Sequence, residues 1–266
     1  MLKGIFNIIL FLLLTALTQV GGVVLLLTEI IISGFPKNWK RTVYGTILFV
    51  VIYGIFSTYA LPALAKNWGK ERIMPTEFLQ PRSFMTILTN RNYVTSEMLA
   101  EAISVSKKMN NLYYGTVTYY YDASFPLWPW FPTLPHLSHK TGKELDLGFY
   151  YSDADGASLN PPSWIGYGFF EEPEEGELNQ AAECKKQGNL FYSFTKILAP
   201  FSKKKDRIFD LAKTAALLEM IDDHEMIKTV FVEPHIAERL GVSHEKIKFH
   251  GCHSVRHDDH FHIEVR

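Results

Sequence analysis

The sequence predicts an α+β domain preceded by a two-helix transmembrane hairpin. Residues 4–28 and 42–65 contain no charged side chain, and each run exceeds the roughly 20 residues that an α-helix needs to cross a bilayer. Beyond these runs, helical and strand patterns mix without regular βαβ repetition, which favours the α+β class. No internal repeat is visible. We therefore expect a hairpin over residues 1–66, a connector over 67–92 and a domain over 93–266.

The first apolar run is longer than that of a secretory signal. The apolar part of a signal peptide spans about 7–15 residues and leads to small residues at a cleavage site, whereas this run ends in Leu27-Thr28. We expect an uncleaved anchor, with two buried core helices as the alternative. Between the runs, Lys37, Lys40 and Arg41 favour a cytoplasmic loop with both chain ends outside, although basic residues also follow the second run.

Charge is divided unevenly along the chain. Residues 1–72 carry seven Lys and Arg against two Glu, and residues 73–266 hold a net charge of −6 within a total of −1. A domain that is acidic overall argues against nucleic acid as a partner. The two cysteines, Cys184 and Cys252, can form a disulfide in an oxidising compartment or remain buried thiols. A role for Cys252 as a metal ligand is a weaker alternative.

The elements of the domain follow from the spacing of its apolar residues. A helix is predicted to run to about Lys108, because the apolar residues after Thr95 share one face. Thr95 can cap the start of this helix. Further helices are predicted over about 206–222 and 234–241, and strands over 114–122, 144–150, 227–233 and 260–265. Phe125 to Pro135, with four prolines and two tryptophans, predicts a stiff aromatic loop. That loop can line a groove or pack against the core.

A pattern of histidines indicates a metal site. Five of the ten histidines lie between residues 250 and 262. On a β-strand, residues i and i+2 share a face, so His260 and His262 can converge on one ion. Much earlier in the chain, His139 and Asp146 stand on either side of Gly142, which permits a tight turn before a strand. Three protein ligands and an open position are typical of a catalytic zinc. An opportunistic histidine-rich tract is the alternative.

Two motifs carry a resemblance to a known family. Ser138-His139-x-x-Gly142-x-x-x-Asp146, together with His260-Phe261-His262, resembles the signature of the LAS group of zinc peptidases. That group includes lysostaphin, D-Ala-D-Ala peptidases and the hedgehog signalling domain. The motifs are most similar to those of penicillin-insensitive murein endopeptidases. The likeness covers roughly residues 136–148 and 227–266.

The resemblance implies a hedgehog/D-Ala-D-Ala-peptidase-like zinc domain. In this sequence the implied Zn²⁺ ligands are His139, Asp146 and His262. His260 would act beside the metal as base or transition-state stabiliser, and His136 and His257 would line the catalytic site. The D,D-dipeptidase branch uses Glu-x-x-His or Glu-x-x-Trp, and neither occurs in this chain, which favours the endopeptidase-like branch.

The implied function is that of a zinc metallopeptidase that hydrolyses peptidoglycan peptide cross-links. The hairpin would hold it in the bacterial cytoplasmic (inner) membrane, with the catalytic domain on the extracytoplasmic side. A D,D-carboxypeptidase or amidase of the same group is one alternative. Another is a non-catalytic zinc-binding module that binds a cell-wall peptide or a protein partner, because a fold alone does not fix an activity.

Overall fold

A computed structural model describes residues 2–133, 138–199 and 206–266. Within them the α+β class predicted from the sequence is confirmed. The helices are α1 (Leu2–Thr18), α2 (Gly21–Ile31), α3 (Trp39–Ile55), α4 (Leu61–Ala65), α5 (Phe84–Leu88), α6 (Ser96–Leu112), α7 (Gln180–Lys186), α8 (Leu211–Asp223) and α9 (Pro234–Arg239). The strands are β1 (Lys70–Arg72), β2 (Leu79–Pro81), β3 (Tyr93–Thr95), β4 (Thr118–Tyr120), β5 (Glu144–Gly148), β6 (Tyr151–Ser152), β7 (Ser158–Leu159), β8 (Ile208–Phe209), β9 (Ile227–Phe231), β10 (Ile247–Lys248) and β11 (His260–Val265).

The first apolar run differs from the single helix expected over residues 4–28. It forms α1 and α2, and the chain turns between them at Gln19, whose φ of 67° lies in the left-handed region. Helix α2 then folds back along α1. Two glycines permit this close packing, because a Cβ at Gly22 would lie 2.0 Å from Thr15 Oγ1 and one at Gly21 would lie 2.6 Å from Thr18 Oγ1.

The second apolar run is one long helical segment, Trp39–Trp68. It comprises α3, a π-helical turn at Phe56–Ala60, α4 and a 3₁₀ turn. The π turn precedes Pro62, which has no N–H to donate to the turn before it. Among the described residues, this is the one helix long and apolar enough to cross a membrane, judged by length and composition. The structure therefore differs from the expected hairpin of two long helices.

A six-stranded mixed sheet carries the domain, in the order β10-β9-β11-β5-β4-β2. Strand β11 lies between β9 and β5 and is antiparallel to both. Side chains on the core face, among them Leu145, Leu147, Phe261 and Ile263, are buried in one cluster with residues of α6 and α8. The alternate residues of β5 and β11 therefore point to the other face, where the candidate site lies.

Several predicted elements are confirmed and others are shorter. Strand β11 has the predicted bounds, and α6 begins after Thr95, whose side chain accepts a hydrogen bond from Met98 N. The strand expected over 114–122 is only three residues long, and α8 begins later than expected because Asp210 caps it. The expected connector over 67–92 contributes β1, β2 and α5, and β2 forms an edge of the main sheet.

Candidate metal centre

Three side chains meet on the open face of the sheet: His139, Asp146 and His262. Their ligand atoms all lie within 4.8 Å of one another, and all three residues are buried. His139 Nε2 lies 3.1 Å from Asp146 Oδ2, and His262 Nδ1 lies 2.7 Å from Asp146 Oδ1. The carboxylate thus stands between the two imidazoles. The structure brings together the three residues predicted as metal ligands.

Strand pairing and one glycine explain why these residues meet. His262 of β11 is directly opposite Asp146 of β5 in the antiparallel register, so both side chains point to the same face. His139 lies in the turn before β5, and Gly142 follows it with a φ of +87°. The Gly142 carbonyl also accepts a hydrogen bond from Thr95 N at 2.8 Å. A Cβ there would lie 3.2 Å from that same nitrogen, so glycine suits this turn.

The donor set fits a divalent cation. Protein zinc sites use imidazole nitrogen and carboxylate oxygen at about 2.0–2.2 Å from the ion, and donor atoms arranged around one ion stand a few ångströms apart. Two imidazoles and one carboxylate within 4.8 Å of one another satisfy that spacing. The group can therefore hold a metal ion.

Burial and the charge of Asp146 have opposite effects on the pKa values of the two imidazoles in this group. Burial alone would lower the pKa of His139, but the negative charge of Asp146 and its hydrogen bond outweigh burial and raise the pKa to about 9. Burial lowers the pKa of His262, against the opposing effect of Asp146. In the metal-free protein His139 therefore carries the proton that a metal ion would displace.

His260 lies beside the three ligands. Its Nε2 is 3.6 Å from Asp146 Oδ2, and its Nδ1 contacts Asp259. Asp259 is itself fixed, because its Oδ2 accepts a hydrogen bond from Gly168 N at 2.6 Å. Burial would lower the pKa of His260, but the charges of Asp146 and Asp259 outweigh burial and raise it. Nδ1 is thus occupied by a carboxylate, while Nε2 faces the ligand group.

Further aromatic rings lie next to the ligand group. The ring centroid of His257 lies 5.0 Å from that of His260 and 5.6 Å from that of His262, so His257 adjoins these two imidazoles. His250 joins it, stacked on Phe231 with ring centroids 4.1 Å apart. The other predicted lining residue, His136, lies outside the described residues.

Tyr167 is a site residue that sequence reasoning missed. Its hydroxyl donates a short hydrogen bond to Asp146 Oδ2, and its ring lies edge-on to His260 with centroids 5.1 Å apart. Tyr121 packs against both, with its ring centroid 6.0 Å from that of His260. Tyr167 belongs to a loop without periodicity, so its pattern gives no signal. His250 could have been found from the histidine-rich tract alone.

Buried ion pairs fix the segment that leads into β11. Arg256 pairs with Asp258 and with Glu172 at 2.9 Å, and its guanidinium lies 4.0 Å from the centroid of the Phe170 ring. Glu233 accepts hydrogen bonds from Tyr192 and from His257 N. Because these partners hold the backbone on both sides of His257, the imidazoles at the start of β11 are pre-positioned.

A cavity of about 770 Å³ opens beside the site. Ser138, His250 and His257 line one wall, and residues 188–192 with Phe194 form a second, which we call the outer wall. Leu190 and Phe191 of the outer wall are 72% and 84% exposed. The cavity thus combines imidazoles with exposed apolar side chains, as sites for small or extended ligands do.

The two cysteines pair across this wall. Cys184 of α7 and Cys252 form a disulfide with a Cα–Cα distance of 5.2 Å, which settles the alternatives left open by the sequence. The bond joins the segment that carries Leu190 and Phe191 to the segment that carries His250. Both walls of the cavity are therefore linked covalently.

The aromatic loop contacts the N-terminal helices. Trp130 contacts Trp68 at the end of the long helical segment, with ring centroids 5.4 Å apart, whereas Tyr121, which precedes the loop, is buried beside His260. The cavity lining contains neither Trp128 nor Trp130.

Comparison with protein-family profiles and with curated proteins finds no significant match for this chain.

Proposed function

We propose that this protein is a membrane-anchored zinc metallopeptidase that hydrolyses peptidoglycan peptide cross-links in the manner of murein endopeptidases. The observation that carries the proposal is the buried group of His139, Asp146 and His262, with His260 beside it and a neighbouring cavity lined by His250 and His257. The proposed fold is of the hedgehog/D-Ala-D-Ala-peptidase type. Its support is the motif resemblance together with this geometry.

Zinc is the proposed metal, because a borderline ion suits a mixed nitrogen and oxygen donor set. When bound, it would polarise the scissile carbonyl and lower the pKa of a bound water to about 7. His139, Asp146 and His262 would hold it. Tyr167 orients the carboxylate of Asp146 through its hydroxyl, so that one oxygen keeps a fixed direction.

His260 is proposed to move the proton. Asp259 holds Nδ1, which orients the ring and leaves Nε2 directed towards the ligand group. An imidazole in that position can accept a proton from the attacking water and return it to the leaving amine. His257 and His250 form the wall at which the carbonyl side of a peptide would lie. Leu190 and Phe191 offer apolar contacts on the opposite wall.

The proposed anchor consists of the apolar helices, with the domain on the extracytoplasmic side. The end of α1 contacts the domain, so its start lies at the far end of the helices, about 25 Å away by its 17 residues. Lys37 lies between α2 and α3, and Lys40 and Arg41 lie in the first turn of α3, at the same far end. Since basic residues favour the cytoplasmic side, this arrangement supports an extracytoplasmic domain. In this proposal the N-terminal end lies inside, whereas the sequence pattern favoured both chain ends outside.

The test uses the full-length protein in detergent micelles. After metal removal, zinc titration should give about one bound equivalent, and incubation with cross-linked muropeptides should release monomers detected by mass spectrometry. His139→Ala should lose both. His244→Ala is the matched control, because that histidine is largely exposed and pairs with Asp222 away from the site.

Each other outcome has a distinct meaning. Equal product from the wild type and His139→Ala would rule out the peptidase proposal. Zinc binding without any hydrolysis would instead support the non-catalytic binding module. The masses of the products identify the bond that opens, which separates an endopeptidase from a D,D-carboxypeptidase or an amidase.

A further inference from the structure

Five exposed apolar side chains lie where the domain meets the N-terminal helices. Three belong to α5 and two to the aromatic loop, and together we call them the apolar rim: Phe84, Met85, Leu88, Trp128 and Trp130. Phe84 and Trp130 are 68% and 66% exposed. An isolated exposed apolar side chain needs no explanation, but a group of large ones marks an interaction surface.

Specific contacts hold the rim against the helices. The Tyr53 hydroxyl of α3 donates to the carbonyl of Leu88, at the end of α5, at 2.6 Å. Gln19, at the turn between α1 and α2, bonds the backbone of Leu127 twice. Its Nε2 donates to the Leu127 carbonyl at 2.7 Å, and its Oε1 accepts from Leu127 N at 2.9 Å. The residue after Leu127 is Trp128, so both parts of the rim lie at the domain end of the helices.

The backbone at Trp128 supports a special role for this loop. Its φ is 38°, in the left-handed region that bulky residues rarely adopt. Such a conformation persists where the surrounding contacts impose it. The adjacent Leu127 is nearly buried in the small cluster formed with Val20, Tyr53 and Leu61, whereas Trp130 remains exposed. The Leu127 side chain thus holds the loop against the helices, while the nearby Trp128 and Trp130 side chains remain exposed.

The helices next to the rim also expose apolar surface. Their exposed side chains include Phe6, Leu12, Leu17, Ile30, Ile47, Val50 and Ile55. Helix α5, whose sequence is Phe-Met-Thr-Ile-Leu, has no charged residue. Tryptophan and other aromatic residues are enriched where a protein crosses from the hydrocarbon to the headgroups. A lipid bilayer is the environment that would cover both surfaces together.

We infer that the apolar rim lies in the headgroup–acyl boundary of a lipid bilayer, so that the metal domain rests directly on the membrane. The inference depends on the membrane-anchoring part of the proposed function and not on peptidase activity. A flexible tether would let the domain reach far from the membrane. A domain fixed through α5 and the aromatic loop instead acts on peptides close to the lipid surface.

A buried lysine links the aromatic loop of the apolar rim to the metal centre. Lys70 lies two residues after the end of the long helical segment, and its Nζ donates to the carbonyls of Phe125 at 2.8 Å and Lys140 at 2.9 Å. Phe125 begins the aromatic loop, and Lys140 adjoins His139. The end of the anchor, the loop that carries Trp128 and the turn that carries a metal ligand are therefore joined at one ammonium group.

The experiment measures the depth of the rim in full-length protein reconstituted into liposomes of phosphatidylethanolamine and phosphatidylglycerol. Single cysteines in Phe84→Cys and Trp130→Cys are labelled with a nitroxide, with the native disulfide verified by mass spectrometry. Collision of each label with oxygen, which dissolves in lipid, is compared with collision with a water-soluble nickel complex. Met85→Cys and Leu88→Cys replace either variant if it does not fold.

Tyr114→Cys is the matched control. Tyr114 is 99% exposed and precedes the start of β4, whereas α5 follows the end of β2. Because β2 and β4 are parallel, these positions lie at opposite ends of the sheet. We expect a several-fold higher ratio of oxygen to nickel collision at positions 84 and 130 than at 114.

Equal ratios at the three positions, in protein that stays in the liposomes, would overturn the inference and leave the anchor intact. Labels that face water in liposomes but are shielded in native membranes would also overturn it, in favour of a protein partner. Protein that does not stay in the liposomes would contradict the anchoring part of the proposed function. Zinc content, measured on the same samples, reports separately on the metal centre.

Discussion

The metal centre and the N-terminal helices place their polar groups in opposite ways. In the centre, His139, Asp146 and His260 are all fully buried, and each finds a charged or hydrogen-bonding partner there. The helices instead expose large apolar side chains and bury a few polar ones, such as Gln19, at the contact with the domain. The stability of the centre should therefore respond to protons and metal, and that of the helices to the surrounding lipid.

Asp146→Asn is expected to show the largest difference between its effect on the metal centre and its effect on the N-terminal helices. Losing the carboxylate charge removes one ligand and the partner of two imidazoles, so zinc affinity should fall by about 1000-fold or more. Competition with a chromogenic chelator measures the affinity. Spin-label depth at position 130 should not change, and a changed depth would show that the two regions are coupled.

Acid should weaken the centre next. The pKa of His139 is raised to about 9, so its proton is bound at neutral pH and must leave when the metal binds. Zinc affinity should therefore fall by about tenfold per unit as pH drops below 9, or about 100-fold between pH 8 and pH 6. Calorimetry in buffers of different ionisation enthalpy counts the released protons. A flat affinity over this range would contradict the assigned proton.

Asp259→Asn should have a smaller effect that is confined to catalysis. The variant keeps a side chain that can contact His260 and Gly168 but removes the charge that orients the imidazole. We expect kcat on muropeptides to fall by about 10- to 100-fold, with zinc content unchanged. The pH profile of kcat should shift as well, because the charge of Asp259 helps to raise the pKa of His260. Normal kcat with an unshifted profile would reduce Asp259 to a structural role.

The smallest effect is expected on the side of the helices. Gln19→Ala removes both side-chain hydrogen bonds to Leu127 and leaves a buried N–H and carbonyl without those partners, at a cost of about 1–3 kcal/mol. Protease accessibility of the aromatic loop in liposomes should rise, while zinc affinity stays constant. Gln80→Ala, which loses a single bond to the Thr76 carbonyl, is the matched control. Equal accessibility in the two variants would contradict a role for Gln19 in docking.

Local periodicity explains why the ligand group could be predicted. Alternation along β11 puts His262 on the face opposite to Phe261, and the same rule puts Asp146 on the corresponding face of β5. What periodicity could not predict is that loops bring Tyr167 and His250 to the same place, because such contacts depend on tertiary packing. Strands of three residues, such as β2 in the expected connector, are too short to give a clear pattern.

Hydropathy failed at the first apolar run for a different reason. An average over apolar residues does not register a reversal of the chain, and Gln19 is one of only a few polar residues within that run. A local pattern does indicate the reversal: Gly21 and Gly22 follow Gln19, and Thr15 and Thr18 precede it. Small residues at that spacing allow helices to approach closely.

The covalent link between positions 184 and 252 has a consequence for when the protein matures. Thiols of this kind stay reduced in a glutathione-buffered cytosol and join only in oxidising surroundings. In a newly made chain the two segments beside the cavity would thus lack their disulfide until the thiols were oxidised. The proposed hydrolase, if assembled in this order, would have little activity inside the cell that makes it.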